Sequence, residues 1–171
     1  MKKILFFILI FFITNNVNAL EKIVFIDLNY IFINSNAGKD LKLQIENKKK
    51  KLNEEIAIFQ KNIDDEKKIL ISQKNVISQE EYKKKLNNLE NEIKNINIKI
   101  SKKNKELNLF KSKVENEFFN KLNSIIENYS TNNSISLILK RENLLMAKKN
   151  LDITKDIFDL FNEKINKITI N

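Results

Sequence analysis

Residues 76–82 read Val-Ile-Ser-Gln-Glu-Glu-Tyr, and the fold of the middle of the chain turns on them. Ser78 followed three residues later by Glu81 is the pattern of a capping box. In that motif a hydroxyl and a carboxylate satisfy backbone N–H groups left free where a helix starts. Ile77 before the cap and Tyr82 after the first turn fit the hydrophobic staple that accompanies it. The stretch predicts one helix ending near residue 75 and a second starting at Ser78. So short a connection lays the two helices side by side and antiparallel.

The flanking sequence agrees. Upstream, Ile45, Lys49, Leu52, Ile56, Phe59, Ile63, Glu66, Leu70, Gln73 and Ile77 recur at alternating steps of four and three. Downstream, Tyr82, Leu86, Leu89, Ile93, Ile96, Ile100, Lys103, Leu107, Phe110 and Val114 do the same. An average spacing of about 3.5 residues is a coiled-coil seam. If partners are residues whose numbers add to 152, Leu70 meets Tyr82, Ile63 meets Leu89 and Leu52 meets Ile100. That register also sets Lys49 against Lys103, a like-charged layer where the arms would splay unless both side chains snorkel outward. Each arm is then roughly 50 Å long at about 1.5 Å per residue.

Past Val114 the pattern changes. Phe118 and Leu122 follow at steps of four, which unwinds a supercoil. Phe119, Ile125, Ile126 and Tyr129 widen the apolar face, so this end must bury against something broader than one helix. The two ends of the chain supply it. KIVFID at 22–27, ISLILK at 135–140 and NLLMAK at 143–148 are strand-length apolar runs, the last two split by Arg-Glu-Asn and suggesting a hairpin. STNNS at 130–134 reads as a loop. Asp27 is placed to cap a short turn, and Thr154 to cap a last helix carrying Ile157, Phe158, Leu160, Phe161 and Ile165. The fold class is α+β, a small β-rich body built from both chain ends with a long antiparallel helical hairpin inserted. The expected division is a body of residues 20–37 and 115–171 and arms of residues 38–114.

Gly38 is the only glycine in a chain without proline. It falls where the first arm leaves the body, against the widening second helix. Glycine inside a helix costs about 1 kcal/mol relative to alanine. Its presence predicts a backbone approach too close for a Cβ, in preference to a turn that needs glycine's dihedrals. Gly38, Phe118, Phe119 and Leu122 are therefore the expected packing residues between arms and body.

Residues 1–19 begin with Lys2 and Lys3, continue as an apolar run from Ile4 to Ile13 and end in Val-Asn-Ala. This is the pattern of a secretory signal peptide, cleaved between Ala19 and Leu20. The apolar run is too short for a bilayer span, which takes about 20 residues. With no cysteine, an exported product cannot use disulfides. With no histidine either, the commonest metal ligands and the usual near-neutral acid–base group are missing, and no Asp-rich, Gly-containing calcium loop is present. The composition argues against an enzyme and implies no cofactor.

Charge is unevenly placed. Residues 39–113 hold 20 lysines and 12 acidic residues, or +8, while the remainder beyond residue 19 holds 9 basic and 10 acidic residues, or −1. A lysine face of this kind attracts acidic polypeptides or anionic lipid headgroups, or it simply solvates the flank of a coiled coil. It lacks the interleaved aromatics on which single-stranded nucleic acid stacks, so nucleic acid is not an expected partner.

Three pieces of the chain resemble the Skp/OmpH family of periplasmic chaperones. KIVFIDLNYIFINSNAGKDLKLQIE is similar to the family's opening strand, short helix and Ala-Gly-Lys entry to the arm. VISQEEYKKKL resembles its arm tip, and LLMAKKNLDITKDIFDLFN its closing strand, Asp-Ile-Thr element and last helix. The family often carries proline before Ala-Gly-Lys, where Asn36 stands here. The resemblance implies a periplasmic homotrimer whose arms surround a cavity. It holds unfolded outer-membrane β-barrel proteins there without ATP and prevents their aggregation. Apolar residues off the seam would then touch clients, and Ile58, Ile71, Ile98 and Leu109 are the candidates, with Leu43 beside them. The alternative is a structural or adaptor coiled coil of the cell envelope with one folded partner.

Overall fold

The computed structural model describes residues 21–170, so the expected signal peptide lies outside the described residues. The chain enters as strand β1 (Lys22–Ile26), turns through helix α1 (Leu28–Asn34) and goes straight into helix α2 (Asn36–Gln73). Helix α3 (Gln79–Asn132) returns, followed by strand β2 (Ile135–Lys140), two 3-10 turns (Arg141–Asn143 and Lys149–Leu151) and helix α4 (Thr154–Lys164). At about 1.5 Å per residue, α2 is about 57 Å long and α3 about 81 Å.

The helix starts follow the caps in the sequence. The Asp27 carboxylate accepts from the Tyr30 backbone N–H at 2.8 Å and opens α1. The Ser78 hydroxyl accepts from the Glu81 N–H at 3.2 Å and opens α3. Ser35 closes α1 and opens α2, and its buried hydroxyl accepts from the Gly38 N–H at 3.2 Å. Helix α3 runs to Asn132, through the first three residues of the stretch expected to be a loop, because its last turn stays hydrogen-bonded. The Asn133 N–H donates to the Tyr129 carbonyl at 3.0 Å, and Ser134 at φ 51° makes the turn that glycine usually makes.

The strand pairing departs from the expected hairpin of ISLILK and NLLMAK. The strands β1 and β2 pair in parallel, from Lys22 beside Ile135 to Ile26 beside Lys140, because the whole helical hairpin serves as their crossover. NLLMAK is not a strand and forms no hairpin with β2. Arg-Glu-Asn instead coils into a 3-10 turn, with the Leu144 N–H bonded to the Arg141 carbonyl at 3.1 Å. The third rung of the sheet is one parallel bridge between Phe25 and Asp152, with the Ile153 N–H bonded to the Phe25 carbonyl at 3.0 Å. The Thr154 cap is a further correction. The N-cap of α4 is Ile153, and the Thr154 hydroxyl accepts from the Asp27 N–H at 2.9 Å, tying the two chain ends together.

The core lies where these pieces meet. Val24 and Ile26 of β1, Ile31 of α1, Leu41 of α2, Phe118 and Leu122 of α3, and Ile157 and Phe161 of α4 form one buried cluster. Phe118 is its hub, with Phe32 edge-on at 4.9 Å and Phe161 at 4.9 Å. The tail returns along α2, where the Gln44 side chain donates to the Ile168 carbonyl at 3.3 Å.

Candidate functional site

The arms are long because a two-helix seam needs only one buried line per helix, and everything off that line is left to solvent. Leu52, Leu70, Leu89 and Leu107 on the seam are each 7% exposed. Contacts across it fix the register. Gln73 receives a hydrogen bond from Lys85 at 2.8 Å, Glu55 pairs with Lys103, and the Lys48 ammonium sits 4.4 Å above the Phe110 ring. The two numbers of each pair add to 158, so the expected pairing on 152 is displaced by nearly one heptad. The lysine–lysine layer consequently does not exist. Lys103 faces a carboxylate, and it is Lys48, not Lys49, that meets Phe110 on the other helix. The five residues Lys74–Ser78 close the tip, with Ile77 and Tyr82 half-buried over it. This lets the first turns of α3 extend beyond the end of α2.

All four candidate client residues are solvent-facing: Ile58 is 58% exposed, Ile71 68%, Ile98 59% and Leu109 61%. They stand at separate positions on two helices and are not brought together in a pocket. Two apolar residues that the sequence reading passed over are equally bare. Ile69 lies beside the seam residue Leu70, and Val76 sits on the tip. A helical wheel would have found Ile69, which flanks the seam one step from its buried line. In the body, Leu145 and Met146 are fully bare, and Ile23 and Leu137 half so.

At the junction, Phe118 and Leu122 are completely buried and Phe119 packs against them. A Cβ on Gly38 would lie 1.8 Å from the Phe32 carbonyl oxygen and 2.9 Å from the Ser35 hydroxyl. The close approach is real, but the neighbour is the backbone of α1 and not α3. Its φ is not positive, so turn dihedrals play no part. Asn36, at the first position of α2, uses the N–H that proline would lack. It donates to the Asn162 side chain at 2.9 Å.

Among the described residues no group of three or more His, Cys, Asp or Glu side chains is placed to hold a metal, and no helix is long and apolar enough to cross a membrane. The arrangement offers a basic, apolar-studded pair of arms.

The family model for the outer membrane protein (OmpH-like) family matches residues 22–160. The chain belongs to the OmpH-like family. A solved structure of a candidate outer membrane chaperone (OmpH-like) from Caulobacter crescentus has the same fold. Its TM-score is 0.81 at 21% identity, over 90% of this chain and 90% of that one. No curated protein is a significant match. The match spans the strand–helix–arm entry, the coiled coil and the first part of the closing helix.

Proposed function

We propose that this OmpH-like protein is an ATP-independent holding chaperone of the periplasm that binds unfolded outer-membrane β-barrel proteins between its arms. The observation that carries the reading is the bare isoleucine and leucine side chains on lysine-rich arms whose own seam is satisfied. A holder of many unfolded sequences needs numerous weak contacts and no fixed pocket. Ile58, Ile71, Ile98 and Leu109 serve as such contacts, and residues 38–114 act as the arms. A single folded partner of an adaptor would favour one continuous apolar stripe, and the separated positions count against it.

The body, residues 20–37 and 115–171, joins copies into a homotrimer in this reading. Support comes from the exposed Ile23, Leu137, Leu145 and Met146 on and beside an open two-stranded sheet, surfaces that association would cover. The lysine faces also suit anionic lipid headgroups. The deciding test dilutes a urea-unfolded outer-membrane β-barrel into buffer with and without the purified protein and follows light scattering. Suppression without nucleotide is expected at near-stoichiometric protein. Undiminished aggregation would overturn the reading.

A further inference from the structure

Two carboxylates meet in the outer part of the arm hairpin, at a place where the seam should be apolar. Glu66 takes a seam position between Ile63 and Leu70, seven residues or about 10 Å from the end of α2. Glu92 faces it from α3, lining the same groove in the register of the other cross-arm pairs, and both side chains reach solvent. Neither has a cation one turn away. Asn62, Ile63, Ile69 and Leu70 stand three and four residues from Glu66, and Asn88, Leu89, Asn95 and Ile96 from Glu92. The one cation lining the groove beside them is Lys85, and its ammonium is engaged by Gln73. That groove is about 230 Å³, open to solvent and floored by the buried Leu70 and Leu89.

We infer that the Glu66–Glu92 layer is a proton-sensitive joint in the arms. With both carboxylates charged, their repulsion lets the tips part. When one takes a proton from solvent, its O–H donates to the other's oxygen and the layer closes. Desolvation raises the Glu66 pKa above its ordinary value, and the charge of Glu92 and the hydrogen bond to it add to the rise. A raised acid pKa means that the closed arm binds the proton more readily than the open one. Closure is therefore favoured below that pKa and lost as pH rises through it.

Absence of cysteine makes site-directed spin labels clean reporters in the full-length protein. One doubly labelled protein carries cysteine for the exposed Lys68 and Asn91, across the outer layer; a second carries it for Asn47 and Ser112, nearer the body. Electron-spin distance distributions are measured at about pH 7.5, where carboxylates are charged, and at about pH 4, within their ordinary titration range. The outer pair should be broad at the higher pH and narrow at the lower one, while the inner pair stays unchanged. Glu66→Gln and, independently, Glu92→Gln should be narrow at both, with circular dichroism confirming that the arms are helical. An outer distribution indifferent to pH, an equal change in the inner pair, or a pH response surviving in both glutamine variants would each overturn the inference. No client enters the measurement, so its outcome is separate from that of the holding reading.

Discussion

At Gly38 the absence of one carbon sets how the arm joins the body. A Cβ there would meet a backbone carbonyl, which cannot rotate aside as a side chain can. Gly38→Ala should therefore cost more than the roughly 1 kcal/mol that alanine normally gains over glycine in a helix, for a net loss of about 1–3 kcal/mol as in other overpacked sites. Thermal unfolding of the purified variant measures it, and an unchanged or raised melting temperature would refute the close approach. A lone glycine in a glycine-avoiding chain announces crowding, so the need for it was legible. The crowding partner was not, because nothing in the local sequence says that α1 folds back over the start of α2. Thr154 teaches the same limit. Its type and place suggested a cap, but the hydroxyl serves Asp27, a residue 127 positions away that only tertiary structure brings near.

The helices were readable at the level of the element, and their register was not. A seam that repeats every seven residues matches itself after a shift of seven, so sequence periodicity supports a pairing on 152 nearly as well as the observed one. The choice falls to the tip, where five residues must span the helix ends, and to polar pairs such as Glu55 with Lys103. Cysteine pairs separate the two registers. Glu55→Cys with Lys103→Cys should form a disulfide on mild oxidation in preference, because these two side chains meet in an ion pair across the seam. Glu55→Cys with Asn97→Cys, which add to 152, should remain reduced, since Asn97 lies six residues or about 9 Å along the helix from Lys103. Non-reducing mass spectrometry reads both, and preferential closure of the second pair would restore the original register. The misread strand at 143–148 has a different cause. Its apolar residues were counted as a buried strand, but among the described residues nothing covers Leu145 or Met146.

Across the whole molecule, the separation of charge and apolar surface makes the holding mechanism divisible. Arms carrying +8 should draw in acidic polypeptides, and the body at −1 should not. Exposed charges are screened over about 8–10 Å at physiological ionic strength, so added salt should slow capture of an acidic unfolded β-barrel. Salt should not release a client already held, because burial of apolar area, at about 25 cal/mol per Å², is not screened. Replacing Ile58, Ile71, Ile98 and Leu109 together by serine should weaken holding at every salt concentration. The seam leucines are untouched, so circular dichroism should show the arms still helical. Burying even about 50 Å² of each side chain against a client would be worth about 1 kcal/mol. Allowing for contacts made only part of the time, the quadruple variant should bind at least tenfold more weakly. A variant that suppresses aggregation as well as the parent would show that clients grip elsewhere, with Ile69 and Val76 the next residues to change. Complete release by high salt would show instead that the arms hold by charge alone, and the exposed isoleucines would then be ordinary surface.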